Sequence, residues 1–402
     1  MSTILIKDGH IIDPASKTDK VADIFVKEGK ISEIGSVPKT ANRIIDAGGL
    51  YVVPGLIDMH THLREPGEEE EETIASGAQC AVSSGVTTLA CMPNTEPVID
   101  NEGSAAFVIL QAKRAAKANV FPIGAVTHQR AGERLSEMGG LVRGGAVAFS
   151  DDGSPVKSAE ILRRALLYAK MFNKTIINHC EDTDLSRNGV MHGGYISMIL
   201  GLSGISSASE EIMVARDITL CEITGGRLHI AHVSTKGSVE LIRNAKKRSI
   251  NVTCEATPHH FTLTDKCVES FNPNFKMNPP LRTENDVAAI KEGLRDGTID
   301  VIASDHAPHS QEDKELEFSY APFGVIGIET LLPITITELV KPGILSLAEA
   351  IRCLTINPAR VLSIDKGSLE IGKNADIAIL DLDTKYTNDK DKFESKSRNT
   401  PF

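Results

Sequence analysis

Residues 58–67 read DMHTHLREPG and place two histidines, His60 and His62, one residue apart at the end of the apolar run LYVVPGLI. On an extended chain residues i and i+2 project to the same side, so both imidazoles face one way where the strand leaves the core. That arrangement suits a metal ion. Two hydrogen-bonded loop histidines would look the same, and the pair alone does not choose between them. Other chemistry-bearing residues stand in similar places at the ends of apolar runs: Asn94 in VTTLACMPN, Asp151 and Asp152 in GAVAFSDDG, His179 in TIINHCED, His232 in RLHIAHVST, and Asp305 with His309 in DVIASDHAPH. Singly, His179 and His232 read equally well as core histidines, and Asp305 as a helix cap. Together, four histidines and two or three aspartates match one or two Zn2+-like ions in ligand type and number. A carboxylate or a hydroxide bridges two such ions. Asp151 and Asp152 are adjacent and point to opposite sides of a strand, so one of them can reach the metals, and parity does not say which. His128, His192, His229, His259, His260 and His306 have no comparable placement and are left out as ligands. The five glutamates at 68–72 read as a solvated helix start.

Something must carry these residues to one place. The runs YVVPGLIDMH, VTTLACMPN, VFPIGAVTH, GAVAFSDDG, TIINHCED, RLHIAHVST, INVTCEATPHH and DVIASDHAPH alternate with helical stretches. In SAEILRRALLYAKMF, residues Ile161, Leu162, Ala165, Leu166 and Ala169 form a helical stripe. In SASEEIMVARDITLCEI, Ser207 and Glu210 have capping-box spacing. Near-continuous apolar strands alternating with helices predict an α/β fold, a closed parallel (β/α)8 TIM-like barrel, whose active site lies at the C-terminal ends of its strands. The competing doubly wound sheet lacks a Gly-x-Gly-x-x-Gly turn after the first strand. Residues 1–52 alternate short β pieces with turns at Lys7-Asp8-Gly9 and Lys27-Glu28-Gly29. The barrel is assigned to 53–345. Residues 346–402 contain a helix, SLAEAIRCLTINPARVL, and a strand-and-turn stretch, GSLEIGKNADIAILDLD. Both chain ends thus build a small β-sandwich domain beside the barrel. The closing TKYTNDKDKFESKSRNTPF is polar and is expected to be mobile.

Composition narrows the function classes. The chain has 402 residues, 41% hydrophobic and 24% charged, with a net charge of −11. That balance argues against a nucleic-acid partner, which needs clustered Lys and Arg. No run of 18 apolar residues and no leader-like N-terminus is present, so neither a membrane partner nor export is expected. Seven scattered cysteines without a Cys-x-x-Cys spacing read as reduced, buried thiols of a cytoplasmic protein.

As an ordered set, GLIDMHTHLREPG, MPNTEP, AFSDDG, NHCED, HIAHVST, TPHHF, NPPLR, ASDHAPH and FGVIGIET resemble the class I dihydroorotases of the amidohydrolase superfamily. The resemblance runs from DGHIIDP to SKSRNTPF, nearly the whole chain. It implies zinc-dependent, reversible cyclisation of N-carbamoyl-L-aspartate to L-dihydroorotate in pyrimidine biosynthesis. It implies that His60 and His62 bind one zinc and His179 and His232 a second, with Asp152 as the bridge. Two zinc ions per subunit are expected, with one as the alternative. Asp305 would lie against a metal and serve as general base and then acid for a metal-held hydroxide. Substrate contacts would come from His62, Arg64, Asn94, Asn278, His309, Phe323 and Gly324. Arg64 would pair with the substrate carboxylate, because its planar fork matches one in two hydrogen bonds. The stretch HSQEDKELEFSYAPFG at 309–324 reads either as a mobile flap over that site or as an ordinary surface loop.

Two departures from the resemblance stand out. Many relatives bridge their metals with a carbamylated lysine after the fourth strand, and GAVAFSDDG offers none. Relatives also continue past NTPF with further strands, so the C-terminal part of the β domain is read as incomplete. Beyond a small-molecule substrate, the resemblance implies a homodimer and, in some members, association with aspartate transcarbamoylase. Two competing readings are a hydantoinase or allantoinase, which would call for the bridging lysine, and an inactive dihydroorotase-like transcarbamoylase subunit. The second would have lost ligands that this chain keeps.

Overall fold

The computed structural model describes residues 2–402. Its N-terminal strands are β1 (Thr3–Asp13), β2 (Thr18–Lys27), β3 (Lys30–Ile34), β4 (Arg43–Asp46) and β5 (Tyr51–Pro54). Lys27-Glu28-Gly29 does turn the chain, with Glu28 and Gly29 at φ 51° and 72° between the antiparallel β2 and β3. Lys7-Asp8-Gly9 does not. It lies inside β1, where the register with β2 shifts between Ile6 and Gly9. Asp8 at φ 58° makes a bulge that a sequence reading cannot tell from a hairpin. Beyond the bulge β1 changes partner: residues 4–7 pair with β4 and residues 10–11 with β5.

The run YVVPGLIDMH is two strands. Gly55 separates β5 from β6 (Leu56–Thr61), and a Cβ there would sit 2.1 Å from Thr87 Oγ1. From β6 onward the predicted barrel follows: β7 (Val86–Cys91), β8 (Asn119–Gly124), β9 (Ala148–Phe149) and β10 (Thr175–Asn178). A short ribbon, β11 (Met191–His192) with β12 (Gly204–Ile205), interrupts it before β13 (Leu228–Ile230), β14 (Val252–Ala256) and β15 (Val301–Ile302). The eight barrel strands pair in parallel, in sequence order. A parallel bridge from Thr61 to His306 and the bond from His62 N to His306 O, 2.8 Å, tie the first strand to the last. Finally β16 (Ile377–Leu380) pairs with β5, so both chain ends share one connected six-stranded sheet.

Packing explains why the sequence adopts this arrangement. Alternate strand residues such as Ile57, Met59, Ala90, Met92, Ile123 and Ile177 fill the barrel interior. Ala359, Val361 and Leu362, from the helix at Ile356–Leu362, close its N-terminal mouth. The opposite strand faces pack on the surrounding helices. The predicted stripe is one of these contacts, with Leu162, Ala165, Leu166 and Ala169 buried on the helix Ala159–Lys170. One expected detail is corrected. The helix Ser207–Thr224 is capped by Ser206, and Glu210 is buried instead of closing a capping box. Glu210 accepts hydrogen bonds from Ser234 N at 3.1 Å and Thr235 N at 3.2 Å. Those amides just past β13 are otherwise unpaired donors, and a carboxylate satisfies both. Among the described residues no helix is long and apolar enough to cross a membrane.

Candidate active site and metal centre

The C-terminal ends of the barrel strands bring His60, His62, Asp152, His179, His232 and Asp305 together, all nearly or fully buried. Asp152 is central. Its Oδ1 lies 3.5 Å from His60 Nε2, 3.6 Å from His232 Nε2 and 4.0 Å from His179 Nδ1, and its Oδ2 lies 3.5 Å from His62 Nε2. Asp305 Oδ1 approaches His62 Nε2 at 3.2 Å and His60 Nε2 at 3.4 Å. His179 Nδ1 lies 2.9 Å from His232 Nε2. Two overlapping sets of donor atoms result, His60–Asp152–His232 and His60–His62–Asp305. His60 Nε2 and Asp152 Oδ1 are buried without a hydrogen-bond partner. Such groups are rarely left unmatched, and convergent imidazole and carboxylate donors suit a divalent cation. The residues present therefore fit a metal centre.

The choice between the adjacent aspartates is made by the strand's pleat. Asp151 turns the other way and accepts from Thr127 N at 3.0 Å and from Thr127 Oγ1. Burial pushes its carboxyl up to about 6. Burial also opposes ionisation of Asp305. The imidazoles of His60, His62 and His232 outweigh it and hold that carboxyl below the usual carboxylate range. Three of the strand ends are bent sharply, with Arg64, His232 and Asp305 at φ 60°, 30° and 50°. Non-glycine residues seldom adopt this region, and such strain concentrates where side chains must be aimed.

Two residues that the sequence reading missed orient the ligands. Glu255, fully buried on β14, accepts from His60 Nδ1 at 2.5 Å, from His232 N at 3.3 Å and from His229 Nε2 at 3.2 Å. Glu181 accepts from His179 Nε2 at 2.9 Å. Each fixes one ring nitrogen and so turns the other toward the centre. The available signal was a glutamate inside an apolar strand, in VTCEA for Glu255.

The expected substrate contacts divide into two groups. Asn94 Oδ1 accepts from His62 Nδ1 at 2.8 Å, and Asn278 Nδ2 donates to Glu181 at 3.0 Å, so both adjoin the metal side. Arg64, His309, Phe323 and Gly324 form a neighbouring corner. Arg64 Nε donates to Pro308 O at 3.0 Å and lies 2.9 Å from Glu71 Oε2. Its Nη2 lies 3.4 Å from His309 Nε2. His309 Nδ1 lies 3.2 Å from Glu71 Oε1, and its Nε2 lies 2.7 Å from Phe323 O.

Glu71 and Glu72 thus correct the reading of 68–72 as a solvated helix start. The following helix begins at Ile74 with Thr73 as its cap, and both glutamates are buried before it. Glu71 holds Arg64 and His309, while Glu72 meets His306 Nε2 at 3.4 Å and Ser395 Oγ at 2.6 Å. A run of like charges looks solvated until the fold supplies partners. The stretch 309–324 is also laced in place. Lys314 Nζ donates to Pro322 O at 3.0 Å and Gly324 O at 2.9 Å, and Lys276 Nζ donates to Phe318 O at 2.8 Å and Ser319 O at 3.1 Å. Burial lowers the two ammonium groups to about 7 and about 8. A polar cavity of about 210 Å³, lined by Thr175, Arg227 and Asp300, lies at the opposite mouth of the barrel and shares none of these residues.

Comparison with known proteins follows the geometry. A dihydro-orotase-like family model matches residues 49–238, and an amidohydrolase family model matches residues 270–400. A dihydroorotase of Acetivibrio thermocellus is 53% identical over 99% of this chain and 94% of its own length. The chain belongs to the dihydroorotase family. Another relative, a dihydroorotase of Pelotomaculum thermopropionicum, is 54% identical over 99% of this chain and 93% of its own. Among solved structures, the L-hydantoinase (dihydropyrimidinase) of Arthrobacter aurescens superposes with a TM-score of 0.89 at 28% identity, covering 100% of this chain and 92% of that one. The chain thus shares its fold with that hydantoinase.

Proposed function

We propose that this protein is a dihydroorotase, opening the ring of L-dihydroorotate to N-carbamoyl-L-aspartate and closing it again. The observation that carries the reading is one juxtaposition. Arg64, an anion-selecting guanidinium, sits two residues past the His60–His62 pair and 3.4 Å from His309, beside a centre of four histidines and two aspartates. In this reading His60 and His62 would hold one zinc and His179 and His232 a second, with Asp152 as the carboxylate shared between the two pairs and Asp305 beside the first. A bound divalent cation lowers the pKa of water toward about 7 and polarises the amide carbonyl under attack.

The chain's own residues do the rest. Asp305, buried against His62 and His60, takes the proton of the attacking water and returns it to the departing ring nitrogen. Glu255, Glu181 and Asn94 keep the histidine rings turned toward the centre. Glu71 anchors Arg64 through Nε and leaves the Nη2 edge, beside His309, for the substrate carboxylate. Asn278, Phe323 and Gly324 complete the walls. Ring closure runs the same steps in reverse. A cytoplasmic homodimer, with association to aspartate transcarbamoylase as a further possibility of the family, is the assembly this reading carries, and sedimentation with and without that enzyme tests it.

The deciding experiment combines metal analysis with turnover of dihydroorotate and of hydantoin by one preparation. We expect zinc, and dihydroorotate as the preferred substrate. The hydantoinase alternative draws on the shared fold. Metal-loaded protein that opens hydantoin and ignores dihydroorotate would establish it instead. A narrower prediction concerns Arg64→Ala. Loss of a charge-assisted pair raises the KM for dihydroorotate by about 10- to 100-fold with a smaller change in kcat. An unchanged KM would assign the carboxylate to another residue.

A further inference from the structure

The polar stretch SKSRNTPF at 395–402, expected to be mobile, is among the better buried parts of the surface layer. Ser395, Ser397 and Asn399 are 1%, 5% and 3% exposed. Their polar atoms bond to groups of the barrel beside the Arg64–His309 corner. Ser395 Oγ donates to Glu72 Oε2 at 2.6 Å and Ser397 Oγ to Glu71 O at 2.9 Å. Asn399 does more. Its Nδ2 donates to Ala307 O at 3.0 Å and to Gly324 O at 3.2 Å, and its Oδ1 accepts from His309 N at 3.4 Å. Its backbone carbonyl accepts from Ile326 N at 3.0 Å.

One carboxamide therefore adds to the join between two segments that also meet through Ala307 N to Val325 O, 2.8 Å, and through His309 Nε2 beside Phe323 O, 2.7 Å. One is the turn after β15 that carries His309, and the other is the returning chain at 323–326. The segments are close here because position 324 has no side chain. Gly324 is at φ +126°, and a Cβ would lie 2.8 Å from Ala307 Cβ and 3.0 Å from His309 Nε2. The join needs two donors and one acceptor on a short planar group, which asparagine alone provides. Aspartate would set a carboxylate oxygen against two carbonyl oxygens, and glutamine adds a methylene for which this close contact has no room. Among the described residues, no hydrogen bond of Asn399 reaches His60, His62, Asp152, His179, His232 or Asp305.

We infer that Asn399 is a positioning residue for the substrate-carboxylate corner: it clamps the His309 turn to the Gly324 segment and so sets where the His309 ring stands relative to Arg64. The inference rests on the dihydroorotase reading for its substrate, but the clamp itself is a property of the fold. It acts on binding and not on the chemistry at the metal side.

The test is Asn399→Ala in the full-length, zinc-loaded protein, alone and combined with His309→Ala. Asn399→Ala is expected to raise the KM for dihydroorotate roughly tenfold, as loss of one or two net hydrogen bonds would. It should lower kcat by no more than about threefold and leave zinc content unchanged. In the His309→Ala background the same change should add less than about a factor of two, because the clamp acts through His309. Three results would overturn the proposal: an unchanged KM, a kcat loss at constant KM, or a full Asn399 effect without His309. Should the alanine variant not fold, Asn399→Ser, which keeps one donor, should show an intermediate KM, and a wild-type KM would count equally against the clamp. Peptide-level hydrogen exchange separates the inference from the functional reading. Segments around 306–310 and 322–328 should exchange faster in either variant whatever the substrate proves to be, and unchanged exchange refutes the clamp. Wild-type protein inert toward dihydroorotate would refute only the activity.

Discussion

Asp305→Asn is expected to reduce turnover of dihydroorotate, in both directions, by about 10²- to 10⁴-fold while bound zinc stays near its wild-type level. The carboxamide keeps the size of the side chain and an oxygen for the metal side, so the contacts to His62 at 3.2 Å and His60 at 3.4 Å can persist in shape. It cannot take up a proton. An aspartate beside a bound cation is a carboxylate throughout the neutral range, so the native side chain can act as the base. Zinc content and steady-state rates measured on one preparation check the expectation. A variant that retains zinc and turns over at close to the native rate would remove Asp305 from the proton transfer.

Asp152→Ala should be as damaging by a different route. Its carboxylate faces all four histidines, at 3.5 to 4.0 Å. Removing it leaves the two halves of the centre unjoined, so metal content should fall and activity drop by more than about 10²-fold. Asp151→Ala provides the control. It deprives Thr127 N of its acceptor, which should destabilise the fold by roughly 1–3 kcal/mol while metal content and KM hold. Metal analysis and thermal melts of the pair decide the matter. Zinc lost from the Asp151 variant and kept in the Asp152 variant would reverse their roles.

These neighbouring aspartates show how far a one-dimensional reading reaches. Period-2 geometry says that only one of them faces inward, but the phase of a two-residue strand, β9, cannot be counted from the sequence. The pairing of Ala148 and Phe149 with both adjacent strands settles it. Glu255 escaped for a related reason. A glutamate on a strand is unremarkable until the histidine it serves, 195 positions away in the case of His60 and Glu255, is brought beside it.

What the sequence determined by itself is the architecture and the rim on which the chemistry-bearing side chains gather. Apolar runs of strand length, most of them ending in a histidine, an aspartate or an asparagine, specify a parallel barrel with its chemistry on one rim, because hydrophobic periodicity and strand direction are local properties. What only the tertiary structure decided are the long-range polar matches. The glutamates at 68–72 and the segment 395–402 are both hydrophilic and, read locally, both belong in water. Folded, Glu71 and Glu72 meet Arg64, His309, His306 and Ser395, and Asn399 bonds to two loops beside the Arg64–His309 corner. A buried polar group is stable only when its partner is present, and composition carries no record of a partner that lies hundreds of residues away.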